Sequence, residues 1–561
     1  MSALPQLRRD TGVERMWRYM DDVRSGAVPA CMEVRQAVDR QIRDVANEDF
    51  AYYFDIDSAN RVVEFIEMLP HVKGKEFVGR TIDLEPWQCF ILCTVFGWLD
   101  IEGNRRFRAA YIEVPRKNAK STLSSGVGLY LLTADHEPGS EVYSAATTRD
   151  QAKIVFDVAK AMVEKNLSGL KMTFDLETFG GKQQAGAIVE SRTGGVFRPL
   201  ARDQGGNLDG LNVHCGIIDE LHAHKTRDVY DVVETGTGAR TQPLIWAITT
   251  AGFNRAGICY EQRGYVRKLL SGVEEDDTYF GIIYTIDEKD DWKDEASWIK
   301  ANPNWGVSVL PDDIRRKAAK AIATASAQNN FLTKHMNVWV NAGVAWMNMV
   351  AFQKCAQSVT FEEYHGKDVW IAIDLASRVD VAAINYTWKE GGRVISKSRY
   401  YLPADTIDEE KNASYPGWVI DGHITATPGA KTDFKTIEAQ LEEDCRNFNV
   451  QAIGYDPYQA QYLANNLAEL GIEVVEYAQN MGNMSEPMKE WEGLVMAGQY
   501  VYDGNPVTTW MVSNVVCHID AKDNVYPRKE DVVNKIDGAV AQIMNIGLTA
   551  GVEGTQDVVF L

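Results

Sequence analysis

The 561 residues contain no CxxC pair and no cysteine with a histidine partner at metal-ligating spacing; the eight cysteines are scattered. That pattern leaves no zinc framework and predicts a reducing compartment, the cytoplasm. The opening stretch MSALPQLRRDTGVERMW lacks an apolar secretory core, which fits the same compartment. Long apolar runs are missing too: the longest, Cys89 to Leu99, is too short to span a bilayer and ends at Asp100, so it suits a buried helix and gives no membrane role. Positive charge is in deficit, with a formal net charge of −21. This excludes a chain that coats nucleic acid by bulk charge and leaves room only for a local basic groove. The length exceeds what one core organises, so two large domains or more are expected.

Glycine is absent where one stretch most wants it. Phe107 to Thr133, FRAAYIEVPRKNAKSTLSSGVGLYLLT, reads as an apolar strand, a turn ending in Lys120-Ser121-Thr122, and a helix. A strand that delivers a Lys-Ser/Thr pair to the first turn of a helix holds nucleotide phosphates through backbone N–H groups, the helix N-terminus and an ammonium. Lys120 would reach the β/γ-phosphates and Ser121 would ligate Mg²⁺. The usual pattern has glycine where this chain has Val114 and Ala119; a Cβ at 119 restricts φ, so the loop is expected to differ from the usual one. On this stretch alone, a plain strand-turn-helix with a solvated basic turn is the alternative.

Upstream, residues 1–80 carry charges and helical spacing, as in Val34-Ala37-Val38-Ile42, and read as a helical lid or appendage. Leu84 to Gln88 starts a helix at Pro86 and sets Trp87 beside Gln88, a pair suited to adenine or, more plainly, a helix start with a core tryptophan. Downstream come a strand, Glu141–Ala146, and a helix, Asp150 to Val163. Alternation of this kind implies an α/β unit with a mostly parallel sheet. The apolar strand from Val213 ends in Asp219-Glu220, and another from Pro243 ends in Thr249-Thr250-Ala251-Gly252. Asp219 would sit in the Mg²⁺ shell, Glu220 would polarise the attacking water, and the hydroxyls would sense the γ-phosphate. Three strand ends then converge on one site, as open α/β sheets require.

Taken together and in this order, PRKNAKST, IIDELH and ITTAG resemble the ATPase half of the large terminase subunits, the genome-packaging motors of tailed bacteriophages. The resemblance implies an ASCE-type P-loop ATPase. Its nucleotide-binding residues would be Arg116, Lys117, Asn118, Ala119, Lys120, Ser121, Thr122, Asp219, Thr249 and Thr250, with Gln88 at the adenine, Ser121 and Asp219 at Mg²⁺, and Lys120 and Glu220 catalytic. It leaves the arginine finger open among Arg116, Arg149 and Arg202.

Residues 287–350 read as a connection, with a basic helix around Arg315-Arg316-Lys317-Lys320 that is either a DNA contact or a solvated face. Beyond it, a strand ends at Asp374, a meander follows from Asp380, a second strand ends at Asp456, and a helix expected from Asp531 to Leu548 carries Asp537. Strand Asp, strand Asp and helical Asp on a mixed sheet is the layout of RNase H-like nucleases, whose paired Mg²⁺ or Mn²⁺ ions need clustered oxygen ligands. Asp374, Asp456 and Asp537 are the expected catalytic metal ligands, with Asp380 a further one; Asp531 is expected to cap the helix. IDLASRVDVAA, YDPYQA and KIDGAVAQIMN extend the terminase resemblance through this half.

The expectation is therefore an ATPase core over 81–286, a linker over 287–350 and an RNase H-like nuclease over 351–561. The resemblance implies ATP and Mg²⁺ as cofactors, with Mn²⁺ possible at the nuclease. It further implies duplex DNA, a small terminase subunit and a portal protein as partners, a homo-oligomeric ring, no membrane, and a host-cytoplasmic protein absent from the mature virion. A cellular helicase-nuclease is the rival enzyme, but helicase motifs and a second RecA-like domain are not found. A scaffold that binds nucleotide without turnover is the other rival, against which intact Lys120, Asp219 and Glu220 argue.

Overall fold

The computed structural model describes residues 10–551 except 75–76, 78, 147, 181–185, 202–209, 225, 256, 341–345, 376–380, 409–411, 413, 458–465, 468–472, 521–522 and 530–533. It divides into two compact units, 1–322 with 330–339, and 323–329 with 340–561.

In the first unit a small antiparallel pair, β1 (Tyr53–Phe54) and β2 (Trp98–Leu99), flanks an eight-stranded sheet. That sheet comprises β3 (Ala109–Glu113), β4 (Glu141–Ala146), β5 (Leu176–Phe179), β6 (Ala187–Glu190), β7 (Gly195–Ala201), β8 (Val213–Asp219), β9 (Leu244–Thr249) and β10 (Tyr279–Ile283), in the order β10-β3-β9-β8-β4-β7-β6-β5. The run from β10 to β7 is parallel, and β6 and β5 add an antiparallel edge. β8, β9 and β10 are buried at every residue, as parallel strands covered on both faces must be. Register matters for the site: Glu113 lies opposite Thr249, and Asp219 opposite Ile248. The ends of β3, β9 and β8 are therefore neighbours.

Residues 1–80 supply the helices Gly12–Ser25, Met32–Ala46 and Ile56–Glu67 to the same core: Met16, Val62 and Ile66 pack in one cluster with Phe90, Leu92 and Tyr111. The apolar run Cys89–Leu99 forms most of the buried helix Pro86–Gly97 and continues into β2. Much of the expected linker is packed as well. Trp298, Ile314, Phe331 and Met336 form a core of their own, and the last crossing between units falls after Trp339, residues 323–329 already belonging to the second. In the basic helix Pro311–Ala323 three of the cations are paired locally: Arg315 with Glu295 and Asp312, and Arg316 and Lys317 with Asp313. No helix among the described residues is long and apolar enough to cross a membrane.

The second unit holds a seven-stranded mixed sheet. Its strands are β11 (Asp368–Asp374), β12 (Ala382–Glu390), β13 (Arg393–Pro403), β14 (Thr425–Thr427), β15 (Asn449–Tyr455), β16 (Val474–Glu476) and β17 (Tyr500–Tyr502), ordered β14-β13-β12-β11-β15-β16 with β17 on β13. β11, β12 and β13 form the antiparallel meander, while β15 runs parallel to β11. A separate ribbon pairs β18 (Val515–Ile519) with β19 (Val525–Lys529). The helix Asp537–Thr549 lies across β11 and β12. Polar side chains pin it there: Asn545 Nδ2 donates to the carbonyls of Trp370 (2.9 Å) and Asn385 (3.0 Å), and Asn385 Nδ2 donates to Gln542 Oε1 at 2.9 Å. Gly454 permits the close approach, since a Cβ there would meet Leu548 at 2.6 Å.

Candidate nucleotide and metal sites

After β3 the chain turns through Val114–Ala119 into the helix Lys120–Thr133. The restriction expected from a Cβ at 119 is borne rather than avoided. Ala119 sits at φ 57° and Lys117 at φ 75°, left-handed conformations that cost a non-glycine residue about 1–2 kcal/mol each. A brace holds the loop. Asn118 Nδ2 donates to the Pro115 carbonyl and to Asn302 Oδ1, both at 3.1 Å; Asn118 Oδ1 accepts from Asn304 N at 3.0 Å, and the Ser308 hydroxyl donates to the Lys117 carbonyl at 2.5 Å. Trp87 joins this brace through its indole N–H to Asn304 Oδ1 (2.6 Å), and Gln88 Oε1 accepts from the backbone N–H of Glu85, capping its own helix. Gln88 and Asn118 are thus buried residues with structural contacts beside the loop. Arg116 and Lys117 are exposed, and Ser121 and Thr122 half-buried.

The Lys120 ammonium is buried and donates to the carbonyls of Val114 (3.3 Å) and Pro115 (3.4 Å), with Glu220 Oε1 at 4.0 Å. Burial lowers its pKa, opposed by the charges of Glu220 and Asp219. Asp219, at the end of β8, is pushed up to about 6 by burial and by the neighbouring charge of Glu220, while the Ser121 hydroxyl hydrogen-bonds to it. Burial would also raise Glu220, but Lys120, then His222, Arg116 and Lys334, overcome it and hold that carboxyl below the ordinary glutamate value. The adjacent acids are thus split, Asp219 raised by burial and Glu220 lowered by the groups around it.

Glu220 also takes a left-handed backbone, φ 51°. Its carboxylate accepts from Thr250 Oγ1 (3.4 Å) and lies 3.1 Å from His222 Nδ1. Burial keeps His222 neutral to about pH 3, so that contact is a hydrogen bond and not an ion pair. Thr249 Oγ1 accepts from the backbone N–H of His222 at 3.0 Å. The structure thus brings together Lys120, Ser121, Asp219, Glu220, Thr249 and Thr250, and adds His222 and Lys334. His222 had a visible cue, a histidine just after an acidic pair in IIDELH. Lys334 had none, being delivered from over a hundred residues away (sequence separation 112 from His222). Of the arginine-finger candidates, Arg202 and the Arg149 side chain lie outside the described residues.

In the second unit Asp374 closes β11 and Asp456 directly follows β15; Ile373 pairs with Tyr455, so the two carboxylates leave adjacent parallel strands side by side. Gln479 Nε2 donates to Asp374 Oδ1 at 3.2 Å, and the Tyr526 hydroxyl donates to the Gln479 carbonyl at 3.1 Å. Burial raises Tyr526, and the charges of Asp456 and Asp374 add to it, with Arg528 opposing. Asp537 is the first residue of its helix, after Ile536 at the cap. The helix expected from Asp531 therefore begins six residues later. Asp531 lies outside the described residues, and 534–536 are not helical. Asp537 itself stands in the first turn, where the positive end of the dipole favours it, and its helix is buried all round rather than on one face. Asp380 lies outside the described residues, and among the described residues no group of three or more His, Cys, Asp or Glu is close enough to hold a metal ion. Carboxylate oxygens fit a hard divalent cation, and the pair Asp374 and Asp456 offers them.

Two family models match the chain: the terminase large subunit ATPase domain over residues 86–268, and the terminase large subunit endonuclease domain over 273–553. Protein YmfN of Escherichia coli (strain K12) is 40% identical over 376 residues, covering 64% of this chain and 82% of that protein. The large terminase subunit of Enterobacteria phage HK97 is 25% identical over 502 residues, covering 88% and 95%. The crystal structure of the HK97 bacteriophage large terminase aligns at a TM-score of 0.44 and 24% identity, covering 87% of this chain and 99% of that one.

Proposed function

This chain belongs to the terminase large subunits, and from that premise we propose how its residues divide the work. It is an ATPase and an endonuclease of phage DNA packaging, using nucleotide and divalent metal. The assignment of ATP and Mg²⁺, of the individual residues, and of the packaging partners is our reading.

In the first unit Lys120 and the N–H groups opening its helix would grip the β/γ-phosphates, Ser121 and Asp219 would hold the cation, and Glu220 would accept a proton from the attacking water. Thr249 and Thr250 lie between the phosphate loop and Glu220 and register loss of the γ-phosphate. The observation that carries this reading is the convergence of β3, β9 and β8, with Lys120, Asp219, Glu220 and both threonines at one place. Arg116 is the one arginine of the three finger candidates whose side chain lies among the described residues. We keep Gln88 as the adenine neighbour by resemblance only.

In the second unit Asp374 and Asp456 would hold a divalent cation, with Asp537 and Asp380 completing the set. Such a cation, when bound, activates water and steadies the leaving oxygen of a phosphodiester. Gln479 orients Asp374 by its hydrogen bond. For the domains we place the working boundary between Trp339 and Val340. The endonuclease family model begins earlier, at 273, but residues 273–322 and 330–339 pack with the first unit, and packing decides what folds alone. The protein would act on duplex DNA in the host cytoplasm as a ring on a portal, with a small terminase subunit, and leave the finished particle.

Packaging of DNA into purified proheads, with and without ATP, tests the reading. Uptake requiring both this protein and hydrolysis supports it. ATP-independent protection of DNA, or unwinding without uptake, counts against it.

A further inference from the structure

The stretch Lys334–Trp339 closes the first unit and is tied to all three strand ends that build the nucleotide site. Arg116 N, in the phosphate loop, donates to the Lys334 carbonyl at 3.0 Å. Asn337 Oδ1 accepts from Ala251 N, beyond β9, at 2.6 Å, while its Nδ2 donates to the Tyr284 carbonyl (2.7 Å) and to Glu113 Oε1 (3.1 Å). The Trp339 indole donates to the same oxygen at 3.2 Å. Glu113 is fully buried at the end of β3 and pairs with Arg263. Asn337 is held at φ 58°, and four of the seven non-glycine residues with positive φ among the described residues, Lys117, Ala119, Glu220 and Asn337, belong to this one neighbourhood. Strained backbone persists where the surroundings over-determine it.

From this frame the Lys334 side chain projects to the catalytic carboxylate's neighbour. Its Nζ lies 3.2 Å from His222 Nε2 and 5.3 Å from the centre of the Phe253 ring. An ammonium only donates, so Nε2 must be the acceptor and Nδ1 must carry the imidazole proton. That proton faces Glu220 Oε2 at 3.1 Å, with Thr249 Oγ1 at 3.1 Å and Thr250 Oγ1 at 3.3 Å around it. One cation thus fixes the tautomer of one histidine, which in turn fixes the rotamer of one carboxylate.

We propose that Lys334 and His222 are positioning residues that orient Glu220, so that water activation depends on where the segment Lys334–Trp339 stands. The proposal rests on Glu220 as the base. It gives ATP turnover a mechanical input: a displacement of this segment withdraws the donor from His222 and misaligns Glu220, and it also pulls on the phosphate loop through the Arg116 N–H.

Steady-state ATP hydrolysis by the full chain tests it. Lys334→Met should lower kcat about 10-fold or more, with KM for ATP within about threefold of wild type. Lys334→Arg, which keeps a donor, should recover at least half of the loss. The double variant Lys334→Met with His222→Gln should be no worse than the poorer single one, because both break the same relay. Glu220→Gln run alongside separates two failures: if it keeps turnover, the site reading falls first. If it loses turnover while Lys334→Met stays within about twofold of wild type, or while Lys334→Arg is as poor as Lys334→Met, the relay falls alone. Should Lys334→Met fail to fold, His222→Gln carries the test on the same split of kcat from KM: lowered kcat at normal KM supports the relay, and unchanged kcat overturns it.

Discussion

The two units hold their acidic residues in opposite ways. In the first, Asp219 is buried and Glu220 half-buried beside Lys120, His222, Thr250 and Ser121, each within hydrogen-bond or ion-pair reach, on a backbone strained at Lys117, Ala119, Glu220 and Asn337. In the second, Asp374 and Asp456 leave adjacent strands, with the Gln479 amide on Asp374, and Asp537 opens a helix. The difference is one of charge: the first pair has the Lys120 ammonium 4.0 Å from Glu220, whereas carboxylates brought together to hold a metal repel one another until the cation supplies the positive charge. On our reading the phosphate site is built by the protein and the nuclease site is completed by its metal.

Loss of one group should then separate the two activities, and this is the largest effect expected. Glu220→Gln should cut ATP turnover about 10²–10⁴-fold while Mn²⁺-dependent nicking of plasmid DNA continues; Asp374→Asn should silence nicking and leave ATP turnover within about twofold. Parallel assays of both variants for both activities decide it, and one substitution that silences both would break the comparison. Next in size is the boundary. A fragment from residue 351 discards Trp346 and Met347, which are buried in the second unit, with Trp346 5.4 Å from Trp491 and bonded through its backbone N–H to Val515. Denaturant unfolding should find 351–561 about 3–5 kcal/mol less stable than 340–561.

A smaller effect sharpens the claim that the nucleotide site stores unfavourable burial. The Asp219 carboxyl titrates near 6 in the folded chain, above its unfolded value, so the stabilisation it gives is complete below about pH 4 and is lost as pH rises through about 6. Asp219→Asn should accordingly stabilise the metal- and nucleotide-free protein at pH 7 by on the order of 1–3 kcal/mol and do little at pH 4. Chemical denaturation at the two pH values checks this. Smallest of all, Ala119→Gly should relieve the left-handed strain for a gain below about 1 kcal/mol, because glycine also loosens the unfolded chain.

How much of this was legible beforehand depended on whether the determinants were contiguous. The strand ends at Glu113, Asp219 and Thr249 each lie in one apolar run with its chemistry attached, and they stand where the runs pointed. What needed distant partners was not visible: the strands β5, β6 and β7, the outer strand β10, and the brace of Asn302, Asn304 and Ser308 around the phosphate loop. The helices of residues 1–80 and the segment 287–339 looked peripheral because their apolar faces carry no motif, yet those faces fill the cores of the first unit. The last helix, expected from Asp531, starts at Asp537, because the chain is irregular over 534–536 and takes up its first turn only there.

The contrast between a site built by the protein and one completed by its cation is tested most directly by thermal unfolding of the 340–561 fragment across a Mn²⁺ titration, with Asp374→Asn and Asp456→Asn as companions. The account predicts a melting temperature that climbs with Mn²⁺ in the wild-type fragment, as binding to the folded state requires, and stays flat in both variants. A wild-type fragment indifferent to Mn²⁺, or variants that respond as it does, would contradict it.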